Sequence, residues 1–423
     1  MSKTGRRLFY VCMGSVFLFA QNGNAVPSFA RQTGMSCIAC HTSFPQLTPY
    51  GRIFKLMAFS FEGSKQIETE NMKAVPGVKI DSGSPISAVI QASWAHVRKV
   101  SANTENDHAS LPSEFSLYYA GEISPNMGAF IQATMDNASS NFKFDMADIR
   151  YAQSTTIGGD KSLVYGLALD NMPGMEDLWN TTPAWTYPYL AASPSRGDGP
   201  VVNSIMGTGL GTYAMLDNQW YAYVSDYKPM GSKKVDGGHG NPYADNPYWR
   251  LAWQKNVGSG NWEIGTYGMQ TKFFGATAGT DKFTDFALDT QYELPTGDNC
   301  QIDAHAVYIN EDQKLGGSSP SDPKQHINQY RADVDYIVNG RHQYLLGYFS
   351  TTGSSGAYKF DGDAMQLNAY GGNNDGYIAE YDYLPWENTK LSLQYTTYAK
   401  LNGTRGSTAS NGNTLLGNVW VAW

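Results

Sequence analysis

From Ile86 to Trp423 the chain alternates, and the alternation carries charge. Tyr330, Ala332, Val334, Tyr336 and Val338 interleave with Arg331, Asp333 and Asp335, and Phe286, Leu288 and Tyr292 interleave with Asp289, Gln291 and Glu293. Nearer the start of this region, Ile86, Ala88, Ile90, Ala92 and Trp94 oppose Ser87, Gln91 and Ser93. A period of two is the signature of a strand with two unlike faces. Charges repeated on one face cannot meet lipid and are costly in a dry core. They are at ease against water inside a barrel whose apolar face meets lipid.

The connections alternate as well. Short turns fall at residues 125–128, 158–159, 216–218, 258–260, 295–297, 339–340 and 385–387. Longer polar stretches fall near residues 99–113, 136–143, 170–203, 227–246, 273–282, 311–326, 351–375 and 402–412. Seven short turns and eight long loops join sixteen strands. An even strand count with one short-turned and one long-looped end is the pattern of a bacterial outer-membrane barrel. Lipid tolerates no open sheet edge, so the sheet must close. The fold expected for residues 85–423 is therefore mainly β, an antiparallel barrel of about 16 strands. Residues 365–370 read equally as strand or loop. The final strand places Leu415, Gly417, Val419, Val421 and Trp423 on one face.

The first 25 residues read as a signal peptide. Lys3, Arg6 and Arg7 precede an apolar run, Leu8 to Ala20, that is too short to span a bilayer, and Gly23 and Ala25 suit cleavage before Val26. Arg6-Arg7 only faintly matches a twin-arginine signal, whose cargo is exported already folded. Losing three basic residues takes the formal charge from −8 to −11, which argues against a nucleic-acid partner. Of four cysteines, Cys12 lies in this segment and Cys300 stands alone, so there is no disulfide framework.

The other two form Cys37-Ile38-Ala39-Cys40-His41. Two thiols at this spacing can each bond a vinyl group of one haem, and the adjoining imidazole can ligate its iron. Zinc would need two further ligands nearby, and the next histidine is His96. The expectation is one covalently bound haem c, with thioethers from Cys37 and Cys40 and His41 as proximal iron ligand. Residues 26–60 then form a small helical cytochrome c domain, too short to bury a core without the haem's apolar mass. Thr48-Pro49 opens a helix there, with Tyr50, Ile53, Phe54 and Met57 on its apolar face. Met57 is the nearest candidate for distal ligand, and core filler is the competing reading. Met72, Met35, His96 and an open site are the alternatives. Arg52 and Lys55, off the apolar face, are candidates to pair with haem propionates, against the plainer reading that they are solvated. Residues 61–84 read as a linker.

Several lumen-facing residues mix both signs: Asp148, Arg150, Asp303, His305, Arg331, Asp333 and Asp335. Taken singly, each reads as part of a wet, charge-balanced wall. The longest loop, Asn171 to Pro200, carries Trp179, Trp185, Tyr187 and Tyr189. If it folds into the pore, Met172, Met175, Glu176 and Asp177 lie near any guest. Asp236, His239 and Asp245 form a second loop cluster with metal-ligating side chains.

Phe29-Ala30-Arg31-Gln32-Thr33-Gly34, the Cys37–His41 run, and Phe44-Pro45-x-Leu47-Thr48-Pro49-Tyr50-Gly51-Arg52-x-Phe54-Lys55 together resemble the cytochrome segment of fused monohaem cytochrome c–porin proteins, outer-membrane Fe(II) oxidases of iron-oxidising bacteria. The specific match covers about thirty residues; the barrel agrees in size and order. The resemblance implies a haem domain plugging the lumen, oxidation of extracellular Fe(II), and delivery of the electron to a periplasmic cytochrome. It implies Cys37, Cys40 and His41 as haem residues and carries over no iron-binding residue. The rival functions are a diffusion porin with a tethered periplasmic cytochrome, an outward conduit to an extracellular acceptor, and a haem sensor fused to a transporter.

Overall fold

The computed structural model describes residues 27–42, 45–60, 84–99, 106–136, 141–179, 199–203, 205–228, 245–274, 279–297, 299–361, 364–367 and 373–423. The proposed signal peptide, and all but one residue of the proposed linker, lie outside them.

Sixteen antiparallel strands close into one barrel: β1 (Ile86–Val97), β2 (His108–Ser124), β3 (Met127–Asp136), β4 (Lys143–Ile157), β5 (Lys161–Asp170), β6 (Thr208–Leu216), β7 (Trp220–Lys228), β8 (Asn246–Val257), β9 (Gly260–Phe274), β10 (Thr280–Gly297), β11 (Cys300–Leu315), β12 (Lys324–Val338), β13 (His342–Gly353), β14 (Asn374–Trp386), β15 (Thr389–Leu401) and β16 (Thr414–Ala422). Each strand pairs with its sequence neighbours, and β1 meets β16 in register from Val89↔Ala422 to Val97↔Thr414. Seven short turns and eight long connections join them, as the sequence counts, but several bounds shift: residues 108–113 and 311–315 belong to β2 and β11, and residues 295–297 end β10, with β11 beginning at Cys300. The ambiguous stretch near 365 is no barrel strand. Tyr358–Asp361 and Ala364–Leu367 pair only with each other, as a hairpin on the seventh long loop.

The faces sort as the charge alternation requires. Along β10, Asp285, Asp289, Gln291 and Glu293 are buried inside, while Phe286 and Leu288 are 45% and 50% exposed outside. On β12, Arg331, Asp333 and Asp335 point inward; Tyr330, Val334 and Tyr336 point outward. Exposed Trp220, Trp262, Trp386 and Trp423 gather at the short-turn end, an aromatic girdle at the membrane–water boundary. Tight turning there draws on residues that tolerate positive φ, such as Asn339 (φ 54°) followed by Gly340 (φ 61°).

Residues 27–60 fold as α1 (Pro27–Thr33), α2 (Cys37–Cys40) and α3 (Pro49–Leu56) inside the short-turn mouth. Their contacts run round the barrel. Gln32 donates to the Ala120 carbonyl on β2, the Leu56 carbonyl accepts from Tyr213 on β6, and Arg52 reaches Asn261 on β9 and Glu293 on β10. Gln46 donates to Asp335 on β12. The segment is a plug. Its small core is Phe29 stacked on Phe59 at 5.4 Å and edge-on to Phe54 at 5.1 Å, packed against Val89, Tyr118 and Phe130 of the wall.

The helix begun by Thr48-Pro49 forms as expected, with the Thr48 hydroxyl accepting from the Gly51 amide at 3.1 Å. Its buried side differs from the expected apolar face. Gly51, Arg52, Phe54 and Leu56 are buried and Tyr50 is exposed. Periodicity presumes one apolar partner surface, whereas here the partner is a polar wall that surrounds the helix.

Candidate functional site

The C-x-x-C-H run occupies one helical turn and the residue after it. Neither Cys37 nor Cys40 is in a disulfide, and positions i and i+3 lie on one side of a helix. The turn has no side-chain cap of its own; the Cys37 amide instead donates to Glu387 Oε2 at 3.1 Å, from the last short turn of the barrel. His41 leaves the helix in extended conformation (φ −126°, ψ 134°) and bridges to Leu47. Its Nδ1 lies 3.1 Å from the Gln46 carbonyl oxygen. A neutral imidazole donating there presents Nε2 as its ligating nitrogen. Burial pulls the His41 pKa down to about 4, against the opposing pull of the Gln46 and Pro45 carbonyls, so the ring is neutral at ordinary pH.

The helix after the motif is pressed against it. A Cβ on Gly51 would sit 2.2 Å from the Cys40 carbonyl oxygen, a contact only glycine permits. Thr48 seals the junction, its hydroxyl donating to the Ala39 carbonyl at 2.8 Å and its amide to the Cys40 carbonyl at 2.9 Å. Burial lifts the Cys40 thiol to about 11. At that value Cys40 stays a protonated thiol at ordinary pH. An unbridged thiol pair and a neutral imidazole with oriented Nδ1 match the donor set a c-type haem needs.

The remaining expectations sort unevenly. Met57 caps α3 at the end away from Cys40 and is half-buried. Met35 accepts from the Tyr50 hydroxyl, 3.2 Å away. His96 is at the long-loop end of β1, paired with Asp107 at 2.9 Å, remote from the motif. Met72 lies outside the described residues.

Arg52 is buried rather than solvated. Its terminal nitrogens are committed to Glu293 Oε1 and Oε2 at 2.7 and 2.9 Å, to the Leu47 carbonyl at 2.9 Å and to Asn261 at 3.1 Å. It anchors the plug to the wall, and only its buried Nε is left without a hydrogen-bond partner. Lys55 likewise turns inward, its Nζ donating to the Asp177 carbonyl at 2.8 Å.

Asp177 belongs to the third long loop, whose described residues 171–179 fold into the lumen and meet the plug; Trp185, Tyr187 and Tyr189 lie outside the described residues. Glu176, Asp177 and Trp179 are buried there. Glu176 accepts from Tyr221 and Tyr248 at 2.9 and 2.7 Å. Arg250 on β8 holds Asp289 at 2.8 Å, with Glu263 at 3.3 Å and Asp177 at 3.4 Å, and stacks its guanidinium over Trp179 and Tyr267. Arg150 joins three parts: it pairs with Asp148 at 2.9 Å, donates to the Met175 carbonyl at 3.0 Å, and lies 5.9 Å from the Phe59 ring of the plug. Sequence reading found the loop and Arg150 but not Arg250 or Glu263. Their only signal was an inward position in the alternation. Of the loop cluster Asp236, His239 and Asp245, the first two lie outside the described residues, and Asp245 pairs with Lys228.

No protein-family model and no curated protein matches the chain. Solved outer-membrane channels do match in shape. The chain is similar to OmpF of Salmonella typhi, solved in complex with daunomycin, at 11% identity and a TM-score of 0.51, over 80% of this chain and 97% of that one. It is also similar to the anion-selective porin of Comamonas acidovorans (14% identity, TM-score 0.49, 80% and 98% covered) and the channel DcaP of Acinetobacter baumannii (12%, 0.49, 80% and 96%). The protein is an outer-membrane β-barrel with a porin fold, bathed in membrane lipid.

Proposed function

We propose that this barrel carries electrons through the outer membrane by way of one haem c, held by Cys37, Cys40 and His41. The observation that carries this reading is the seat of the C-x-x-C-H turn. It sits in the short-turn mouth, capped by Glu387 of the wall and fixed by the Gln46 bond to Asp335. Short turns face the periplasm in such barrels, so the motif stands where a soluble periplasmic cytochrome can approach. When bound, the haem takes up and releases one electron at a time. The protein's part is to hold His41 neutral and oriented, to keep the thiol pair on one helical turn, and to set the potential through burial. Met57 is the proposed distal ligand. The proposed donor is extracellular Fe(II), which makes the protein an Fe(II):cytochrome c oxidoreductase of the fused cytochrome c–porin kind.

A pyridine haemochrome assay on the purified protein, followed by anaerobic mixing of the oxidised form with Fe(II) in a stopped-flow spectrometer, tests this. One covalent haem per chain, reduced rapidly by Fe(II), is expected. A chain without haem overturns the reading. A haem that dithionite reduces and Fe(II) does not overturns the choice of donor and leaves an outward conduit or another donor.

The porin fold favours a second reading, a diffusion porin with a tethered cytochrome. Planar-bilayer conductance separates the two. A barrel stoppered by residues 27–60 conducts little at pH 5, whereas a large steady conductance at that pH would favour the porin.

A further inference from the structure

On the wall beside the plug, four chemistry-bearing side chains form a rectangle. Asp303 and His305 project inward from β11, and Asp335 and Asp333 lie directly across from them on β12. All four are buried, Asp303 and Asp335 completely. Ligand atoms of His305, Asp333 and Asp335 lie within 4.8 Å of one another. His305 Nδ1 is 2.7 Å from Asp333 Oδ2.

Three features point to a missing ligand rather than a closed ion-pair network. Carboxylates directly opposed on neighbouring strands repel, and here Asp303 faces Asp335. His305 Nε2 and Asp303 Oδ2 are buried with no hydrogen-bond partner, which costs free energy unless something satisfies them. Three carboxylates and one imidazole are crowded together in a buried site; Arg331 acts on Asp333, and Lys390, already paired with Asp382 at 3.4 Å, acts on Asp335, but neither lies within the rectangle of four side chains that a bound cation would bridge.

We propose that His305, Asp333 and Asp335, with Asp303, bind a divalent transition-metal ion. One imidazole and several carboxylates make a donor set suited to Mn(II), Fe(II) or Zn(II). The surrounding amides behave as an outer shell that orients ligating carboxylates. Gln343 donates to Asp335 Oδ1 at 2.8 Å, Gln46 to Asp335 Oδ2 at 3.2 Å, and Gln301 to Asp303 Oδ1 at 2.5 Å. Gln46 is also the residue whose carbonyl holds His41, so one residue links the cation site to the C-x-x-C-H turn. Further inward carboxylates, Glu311 and Asp285, continue up the same wall toward the long loops. Identifying the ion as Fe(II) substrate rests on the function proposed above. The cation site itself does not.

The test uses the full-length protein in detergent and Mn(II) as a redox-inert probe, its binding followed by loss of the free-ion EPR signal. One Mn(II) per chain is expected, weakened at least tenfold by His305→Ala and by the near-isosteric Asp335→Asn. Asp160→Asn, on an exposed short turn, is expected to match wild type. Heat-modifiability on gels confirms that each variant keeps its barrel. Folded variants that bind Mn(II) as tightly as wild type overturn the proposal, as does a wild-type chain that binds none. Haem content, measured separately, keeps the two readings apart: Mn(II) binding without haem sinks the electron-transfer function and leaves the cation site, and haem without Mn(II) binding does the reverse.

Discussion

Arg52 on the plug grips Glu293 on the barrel wall through two hydrogen bonds, at 2.7 and 2.9 Å, with both side chains almost wholly buried. Removing one partner of such a pair strands the other charge, at a cost of about 3–5 kcal/mol. Arg52→Ala is expected to loosen residues 27–60 while the barrel survives. The plug should become cleavable by protease added at the short-turn side, with heat-modifiability unchanged. Equal protease resistance in wild type and variant would show that the anchor lies elsewhere.

Gly51 carries a more local prediction. With a Cβ 2.2 Å from the Cys40 carbonyl oxygen, Gly51→Ala must push the third plug helix off the C-x-x-C-H turn. Covalent haem yield is expected to fall severalfold at equal barrel expression, read from the haemochrome-to-protein ratio. An unchanged ratio would mean the junction is not needed for attachment.

Most of this architecture was legible in the sequence because an outer-membrane barrel must sort its faces in every strand. Lipid leaves Phe286 and Leu288 no alternative to pointing outward, and that forces Asp289 and Gln291 inward. Turn chemistry such as Asn339-Gly340 then fixes strand ends. The plug was less legible. Arg52 reads as a solvated or propionate-binding residue because its partner, Glu293, is 241 residues away, a pairing that no local pattern encodes. The cation site fell in between. His305 and Asp333 each looked like a pore-wall residue, and only the register of β11 against β12 sets them opposite one another.

The lipid-facing assignment can be challenged at one residue. Leu288, midway along β10 and 50% exposed, points into the hydrocarbon. Leu288→Arg is expected to cost about 2–4 kcal/mol of barrel stability, the penalty for a cation at the bilayer midplane. Urea titration of folding into lipid vesicles would measure it. A loss near zero would place Leu288 at an interface or against protein.

Glu176 gives the inward loop a pH dependence. Burial raises its pKa from 4.5 to about 7, and Asp177 adds to the rise, against the opposing pull of Arg250 and of hydrogen bonds from Tyr248 and Tyr221. A folded-state pKa above the unfolded one means that the docked loop binds its proton more tightly than the released loop. The stabilisation is therefore complete below about 4.5 and is lost as pH rises through about 7. The loop should hold firmly at pH 5 and loosen by pH 8. Because the same loop accepts the Lys55 bond from the plug, loosening should also raise channel conductance. Recording conductance in planar bilayers from pH 5 to pH 9 tests this, with Glu176→Gln as the comparison. The variant carries no titrating carboxyl at this position, so its profile should flatten across that window. A wild-type profile already flat there, or an equally steep one in Glu176→Gln, would remove Glu176 as the group that sets the loop's hold on the plug.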